Sequence, residues 1–367
     1  MECYCSSKTL YSPFNEDKSF KIKSEFHLHE SSIISKRESL KPLPNPLESK
    51  NLQIFKKAFD ISSISFSPEI TKIDFNEIEA DPLFFHREFV SKNFPCIITN
   101  AIDSWEALET WQDPNYLIER LGEKQITVDL TPDGFADSIK NKYFIEPFQI
   151  QMNMKQFLQL QDKDDKKIGY IQKQNDNLNS EFSLFFNKDI DLGLREFFGK
   201  KIFNKPADAC NFWMGKNPSV SSLHKDHYEN IYAVITGEKH FSLIPPICYP
   251  SLYEGEYIHT KWNLDQEKNE FFIQENLENF TKWLSINPDL EEDRMKFQAL
   301  KDEELCKIFH CVVEAGEILY LPSLWFHQVS QFNKNQENYT RAVNFWFDME
   351  FGNNFALLET LKSLIQN

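Results

Sequence analysis

His224 and Asp226 stand two places apart in LHKDHYENIYAVITGEKHF, residues 223–241. On an extended strand, side chains at that spacing point to the same face, so the two can grip one ion. A third ligand has to come from elsewhere. His327, in LYLPSLWFHQV, is the best candidate, on a later strand where it shares a face with Trp325 and Val329. Two imidazoles and one carboxylate make a facial triad, which leaves three coordination positions open and suits non-haem Fe(II). The open positions matter because oxygen and an organic co-substrate must both reach the metal. Lys239 adds a cation nearby. Alternation along KHFSLIPP puts it on the face of Phe241 and Leu243. There it reads either as a snorkelling lysine at a strand end or, beside a triad, as the anchor of a co-substrate carboxylate. Asn230 and Tyr232 share one strand face, and Asn344 and Trp346 share another. Each reads alone as a satisfied core polar group, and together they suit hydrogen bonding to a carboxylate and to metal ligands. His227 and His240 alternate away from this face and read as structural.

Strands must hold these residues. The stretch 223–241 itself reads as a buried β-hairpin carrying the charges at its start. Beyond residue 210, CNFWMG, IYAVIT, KHFSLIPP, CVVEA, EILYLP, WFHQVSQF and RAVNFWFD follow as short strands punctuated by Gly and Pro. That pattern predicts a mainly β fold, a sandwich or jelly roll with helical additions, rather than a βαβ array. Upstream, DPLFFHREFVSKNFPCIITNAI reads as helix, turn and a short strand at 95–99. QITVDL reads as a strand entering the turn TPDGFAD, MKQFLQLQDKDDKK as a helix and IGYIQKQ as a strand. The segment 247–310, acidic and partly helical, reads as a lid or an added subdomain within the domain 51–350. Residues 1–50 are polar, end in KPLPNPLESK and read as a disordered tail. At the other end, 351–367 predicts a helix with Phe355, Leu358, Leu361 and Ile365 on one stripe, widened by Leu357 and Leu364. A stripe this apolar needs cover, from the chain's own core or from a second subunit.

The 367 residues are 41% hydrophobic, enough for a sizeable core, with 34 Phe and 7 Trp as large packing units. Forty basic against 56 acidic residues give a net charge of −16, which argues against nucleic acid as the main partner. The 7 cysteines are odd in number, scattered and without a C-x-x-C pair, so neither a disulfide framework nor a thiolate zinc site is indicated. With no secretory or transit pattern at the N-terminus and no long apolar run, the expectation is a cytoplasmic or nuclear protein away from membranes.

Taken in order, NFPCIITNAI, DLTPDGFAD, GYIQKQNDNL, CNFWMG, SLHKDHYENIYAVITGEKHF with its following IPP, AGEILYLPSLWFH and AVNFWFDMEF resemble the jumonji-C (JmjC), cupin-like family of Fe(II)- and 2-oxoglutarate-dependent oxygenases. The resemblance runs from about residue 65 to the C-terminus, in the branch of the asparaginyl hydroxylase acting on hypoxia-inducible factor. It implies a double-stranded β-helix with the site in the mouth of the barrel. His224, Asp226 and His327 would ligate iron. Lys239, Tyr170 and Ser221 would hold the distal carboxylate of 2-oxoglutarate, although the family often has threonine at the last position. Asn230, Tyr232, Asn344 and Trp346 would line the pocket. The implied reaction consumes 2-oxoglutarate and O2, with ascorbate as a stimulant, and hydroxylates carbon 3 of a lysine in a protein substrate, a GTP-binding protein of the developmentally regulated type. The implied assembly is a homodimer through the C-terminal helix. Asp133, Asp137 and Glu229 are candidate carboxylates for the substrate ammonium, and all three read equally as turn or surface residues. A histone lysine demethylase uses the same metal chemistry, but no zinc finger or chromatin-reading segment accompanies it here. A histone-tail peptidase would need a metal-bound water and a general base, and no H-E-x-x-H motif is present. A catalytically silent cupin that binds a partner would be marked by loss of a triad residue, and all three are intact.

Overall fold

Eight strands with alternating side chains form the centre of the molecule: β1 (Ala209–Gly215), β2 (Val220–Lys225), β3 (Tyr228–Thr236), β4 (Glu238–Ile244), β5 (Phe309–Glu314), β6 (Ile318–Leu321), β7 (Phe326–Phe332) and β8 (Thr340–Asp348). The structure, a computed structural model, describes residues 52–63, 67, 69–163, 167–186, 188–252, 254–274, 279–296, 306–334 and 339–366. The tail expected at 1–50 lies outside the described residues. One sheet runs β6-β3-β8-β1 and the facing one β5-β4-β7-β2, with every neighbouring pair in these two series antiparallel. This winding is a double-stranded β-helix of jelly-roll type, as the sequence predicts.

The first sheet is covered on both faces, which explains the nearly unbroken apolar run of β3. Ile231, Ala233 and Ile235 point outward into a core shared with Phe85, Trp111, Phe157 and Phe198 of the N-terminal elements. Tyr232 and Val234 point inward, to Phe241, Leu243, Leu319 and Val329 between the sheets. Strands Lys72–Asp74, Cys96–Thr99, Ile126–Thr131, Phe148–Met152 and Ile168–Ile171 extend the first sheet to nine strands. The helix expected in MKQFLQLQDKDDKK forms at Met154–Lys163.

One expectation fails and another needs an addition. Residues 223–241 are not a hairpin: β3 and β4 are joined at Gly237, but each lies in a different sheet. Gly237 has φ +72°, and a Cβ there would come 2.4 Å from Thr340 Oγ1, so only glycine permits this corner. The segment 247–310 is partly helical as expected, and it also contains strands that the sequence did not signal. Glu254–Asp265 pairs with Glu270–Ile273, with Phe280–Leu284 and, in parallel, with Tyr143–Glu146. Its described helical pieces are short, at Pro246–Ser251 and Glu291–Lys296. The result is a separate small sheet against the barrel mouth.

The C-terminal helix forms at Asn353–Gln366. Leu358 is buried, with Phe59, Tyr249 and Leu252 in the same cluster, and Leu361 is buried as well, so the chain's own core supplies cover. Leu357 and Phe351 stay exposed. No helix among the described residues is long and apolar enough to cross a membrane.

Candidate metal centre

β2 and β7 pair with Ser221 opposite Val329 and then His224 opposite His327, so three residues of β2 span two of β7. The extra residue is a β-bulge, and its effect is on side-chain direction. Ser221 and His224 are an odd number of places apart and would face opposite ways on a regular strand. With the bulge both line the inner cavity, while Leu223 turns into the core outside. β2 ends at Lys225, so Asp226 sits in the following turn and not on the strand as expected. Its backbone carbonyl accepts from Leu324 N at 2.9 Å, which ties that turn to the one entering β7. Trp325 also precedes β7 rather than lying in it.

The predicted triad comes together. Asp226 Oδ2 is 3.8 Å from His224 Nε2 and 3.6 Å from His327 Nε2, and one ligand atom from each residue lies within 4.8 Å of the others. His224 Nδ1 donates to Ser222 O at 2.7 Å and His327 Nδ1 to Trp325 O at 2.9 Å. A carbonyl only accepts, so each bond keeps the proton on Nδ1 and leaves the Nε2 lone pair toward Asp226. Burial, helped by His224, pushes the His327 pKa down to about 4 against the pull of Asp226, which favours the neutral imidazole that a metal needs. The donor set, two fixed imidazoles and a half-buried carboxylate, fits an Fe(II) ion with open positions.

Lys239 is 1% exposed, which removes the snorkelling alternative. Its ammonium donates to Tyr170 Oη at 2.9 Å and Gln331 Oε1 at 2.5 Å, and no carboxylate among the described residues pairs with it. Burial alone pulls its pKa down to about 7. A buried cation with neutral partners only is a receptor for an anion. Gly215 makes room for this cluster: a Cβ there would lie 2.4 Å from Gln331 Nε2 and 2.7 Å from Tyr170 Cδ2.

Tyr170, Ser221, Asn230, Tyr232 and Trp346 line the cavity together with the triad. Asn344 does not line it. Fully buried behind, it accepts from Trp213 Nε1 at 2.8 Å and donates to Asn230 Oδ1 at 3.0 Å, so it positions two lining residues. The free space is narrow, about 20 Å³. His227 packs beside Phe351 and Phe355 and His240 contacts Glu238, both away from the triad as expected.

The three candidate carboxylates separate. Asp133 is paired with Lys140, and Glu229 accepts from Tyr320 Oη and Ser323 Oγ at 2.7 and 2.8 Å in a structural role. Only Asp137 faces open space, in a cavity of about 490 Å³ beside the triad. The sequence reading missed Gln331, Trp213 and Gln174, and also Asp129 and Glu146 of that second cavity. Gln331 was within reach, because it shares the β7 face of His327 and Val329. Glu146 was not, since the pairing of its strand with residues 258–261 leaves no local signal.

A cupin-like domain family matches residues 82–353. The chain is 37% identical over 309 residues to the lysine-specific demethylase JMJ32 of Arabidopsis thaliana, covering 80% of this chain and 87% of that protein. It is 36% identical over 307 residues to JmjC domain-containing protein E of Dictyostelium discoideum, covering 76% and 85%. It is 35% identical over 285 residues to the human bifunctional peptidase and (3S)-lysyl hydroxylase JMJD7, covering 77% and 86%.

Proposed function

The chain belongs to the cupin-like JmjC family of 2-oxoglutarate oxygenases, and from that premise we propose that it is an Fe(II)- and 2-oxoglutarate-dependent protein hydroxylase that oxidises carbon 3 of a lysine in a developmentally regulated GTP-binding protein. The observation that carries the reading is a three-residue metal centre beside a buried, anion-seeking lysine, two receptors for the two ends of one co-substrate. His224, Asp226 and His327 hold the metal. Lys239 takes the distal carboxylate of 2-oxoglutarate, flanked by Tyr170 and Ser221. Asn230, Tyr232 and Trp346 wall the pocket, and Asn344 keeps Asn230 and Trp213 in place. When bound, the iron with 2-oxoglutarate and O2 supplies the oxidation: the co-substrate loses carbon dioxide to become succinate, and one oxygen atom goes to the substrate. The same reading includes ascorbate as a stimulant and a homodimer through the helix Asn353–Gln366, beside which Phe351 and Leu357 remain exposed.

The test supplies Fe(II), ascorbate and 2-oxoglutarate with lysine peptides of such GTP-binding proteins, and follows succinate and peptide mass. The expected result is peptide-dependent succinate and a gain of one oxygen on lysine. Formaldehyde from a methyl-lysine peptide would make the chain a demethylase, the activity named for its Arabidopsis relative. Peptide-bond cleavage would make it a peptidase. Bound iron with no turnover would leave a silent cupin.

Gly215→Ala is expected to separate Lys239 from Tyr170 and Gln331. Losing about 1 kcal/mol of hydrogen bonding at the anchor raises the 2-oxoglutarate KM about fivefold. Iron affinity should not change, which a metal titration checks.

A further inference from the structure

The second cavity, about 490 Å³, is walled by carboxylates from three places in the chain: Asp129, Asp137 and Glu146. It adjoins the metal centre. Gln174 lines both spaces, and the Asp137 carbonyl accepts from Ser222 Oγ, two residues before His224. Among the described residues neither Asp129 nor Asp137 is in direct ion-pair contact with a cation, although the Lys173 charge acts on Asp129 and the His224 and His259 charges act on Asp137. Asp129 is 5% exposed; its Oδ2 accepts from Gln172 at 2.9 Å and its Oδ1 has no hydrogen-bond partner. Among the described residues no hydrogen bond or ion pair is made to the Asp137 carboxylate. Glu146 contacts His259 at 3.2 Å. Lys173 also lines the cavity, but its ammonium lies toward Thr127, and Lys261 is exposed at the rim. A buried carboxylate oxygen without a donor carries an uncompensated desolvation cost that an incoming cation removes. A metal ion is the wrong cation: among the described residues only His224, Asp226 and His327 are close enough together to share one. An ammonium on a flexible stem needs no fixed coordination geometry and reaches such a site as a point charge.

We propose that the Asp129–Asp137–Glu146 cavity receives the side-chain ammonium of the residue to be oxidised, so that the enzyme selects its target by a positive charge held beside the metal centre. This rests on the protein-hydroxylase reading. It makes Asp129 and Asp137 specificity-determining residues.

The test uses the full chain with Mn(II) in place of iron, and two small probes: N-acetyl-lysine methylamide and its norleucine counterpart, which lacks the ammonium. Paramagnetic broadening of the probe protons by Mn(II) reports binding next to the triad without any turnover. The expected result is lysine binding at least about tenfold tighter than norleucine, as for one charge-assisted hydrogen bond in a buried site. Asp129→Asn with Asp137→Asn should abolish that preference by weakening lysine alone. The two single variants, each checked by thermal melting, give intermediate loss and serve if the double variant does not fold. Equal broadening by both probes in the wild type, or a lysine preference unchanged in folded variants, overturns the proposal. Lysine preference without hydroxylated product in the peptide assay would overturn the hydroxylase reading and leave the cation site standing.

Discussion

Asp226→Ala is expected to bring succinate release down to the enzyme-free rate. Residues that merely orient a metal ligand change affinity or activity by about 10- to 100-fold when removed. Asp226 is itself the single carboxylate among the three proposed ligands, within 4 Å of both Nε2 atoms, so its loss is expected to exceed that range. It also removes the one negative charge of the triad, which would offset a divalent ion between two imidazoles. The fold should survive, because the side chain is part-exposed at the barrel mouth and the turn is held by the backbone bond from Leu324. Two measurements separate the causes: Fe(II) affinity by titration, expected to fall with activity, and the metal-free melting temperature, expected to stay within a few degrees. Retained turnover with Asp226 gone would remove the triad from the mechanism.

Lys239→Met should move stability and affinity in opposite directions. Without co-substrate, the native chain buries an ammonium among neutral groups, and its pKa falls from 10.5 to about 7. Between those values the unfolded chain binds a proton that the native chain does not, so metal-free stability rises with pH from about 7 upward. Below about pH 7 both states are charged and the penalty is fully present, up to about 5 kcal/mol. Methionine has a similar volume and no charge, so the variant should melt higher than the wild type near pH 7, and the difference should shrink toward pH 9. The 2-oxoglutarate KM should meanwhile rise about 10- to 100-fold, since a charge-assisted hydrogen bond contributes about 1.5–3 kcal/mol. Melting curves at several pH values and initial-rate kinetics check both halves. A lower melting temperature in the variant would mean that Lys239 is already satisfied in the protein.

Much of the site was legible because its chemistry is local. H-x-D places two ligands together whether or not Asp226 remains on the strand, and alternation correctly aimed Lys239 inward. Strands of the barrel were legible for the same reason, since their period-2 pattern survives in a single sequence. What failed was long-range. A one-residue turn at Gly237 looks the same whether two strands pair or part into opposite sheets. The bulge in β2 exists only in relation to β7, so no pattern within residues 220–225 announces it. The segment 247–310 forms strands largely because Tyr143–Glu146 is there to pair with. Among the acidic candidates, composition could not separate Glu229, satisfied by Tyr320 and Ser323, from Asp137, which faces the cavity.

The order of strands also governs how the chain can be made. β8 lies between β3 and β1, inside the first sheet, yet it is the last of the eight to leave the ribosome. Until Thr340 and its successors emerge, β3 and β1 each present an open hydrogen-bonding edge along apolar faces. Exposed edges of that kind invite pairing with other chains. A nascent chain stopped shortly before β8 would therefore be an aggregation hazard rather than a small loss of the C-terminus. The closing strand also carries Asn344 and Trp346, so the pocket wall and the sheet are completed together, and no shorter product has a half-built but soluble active site.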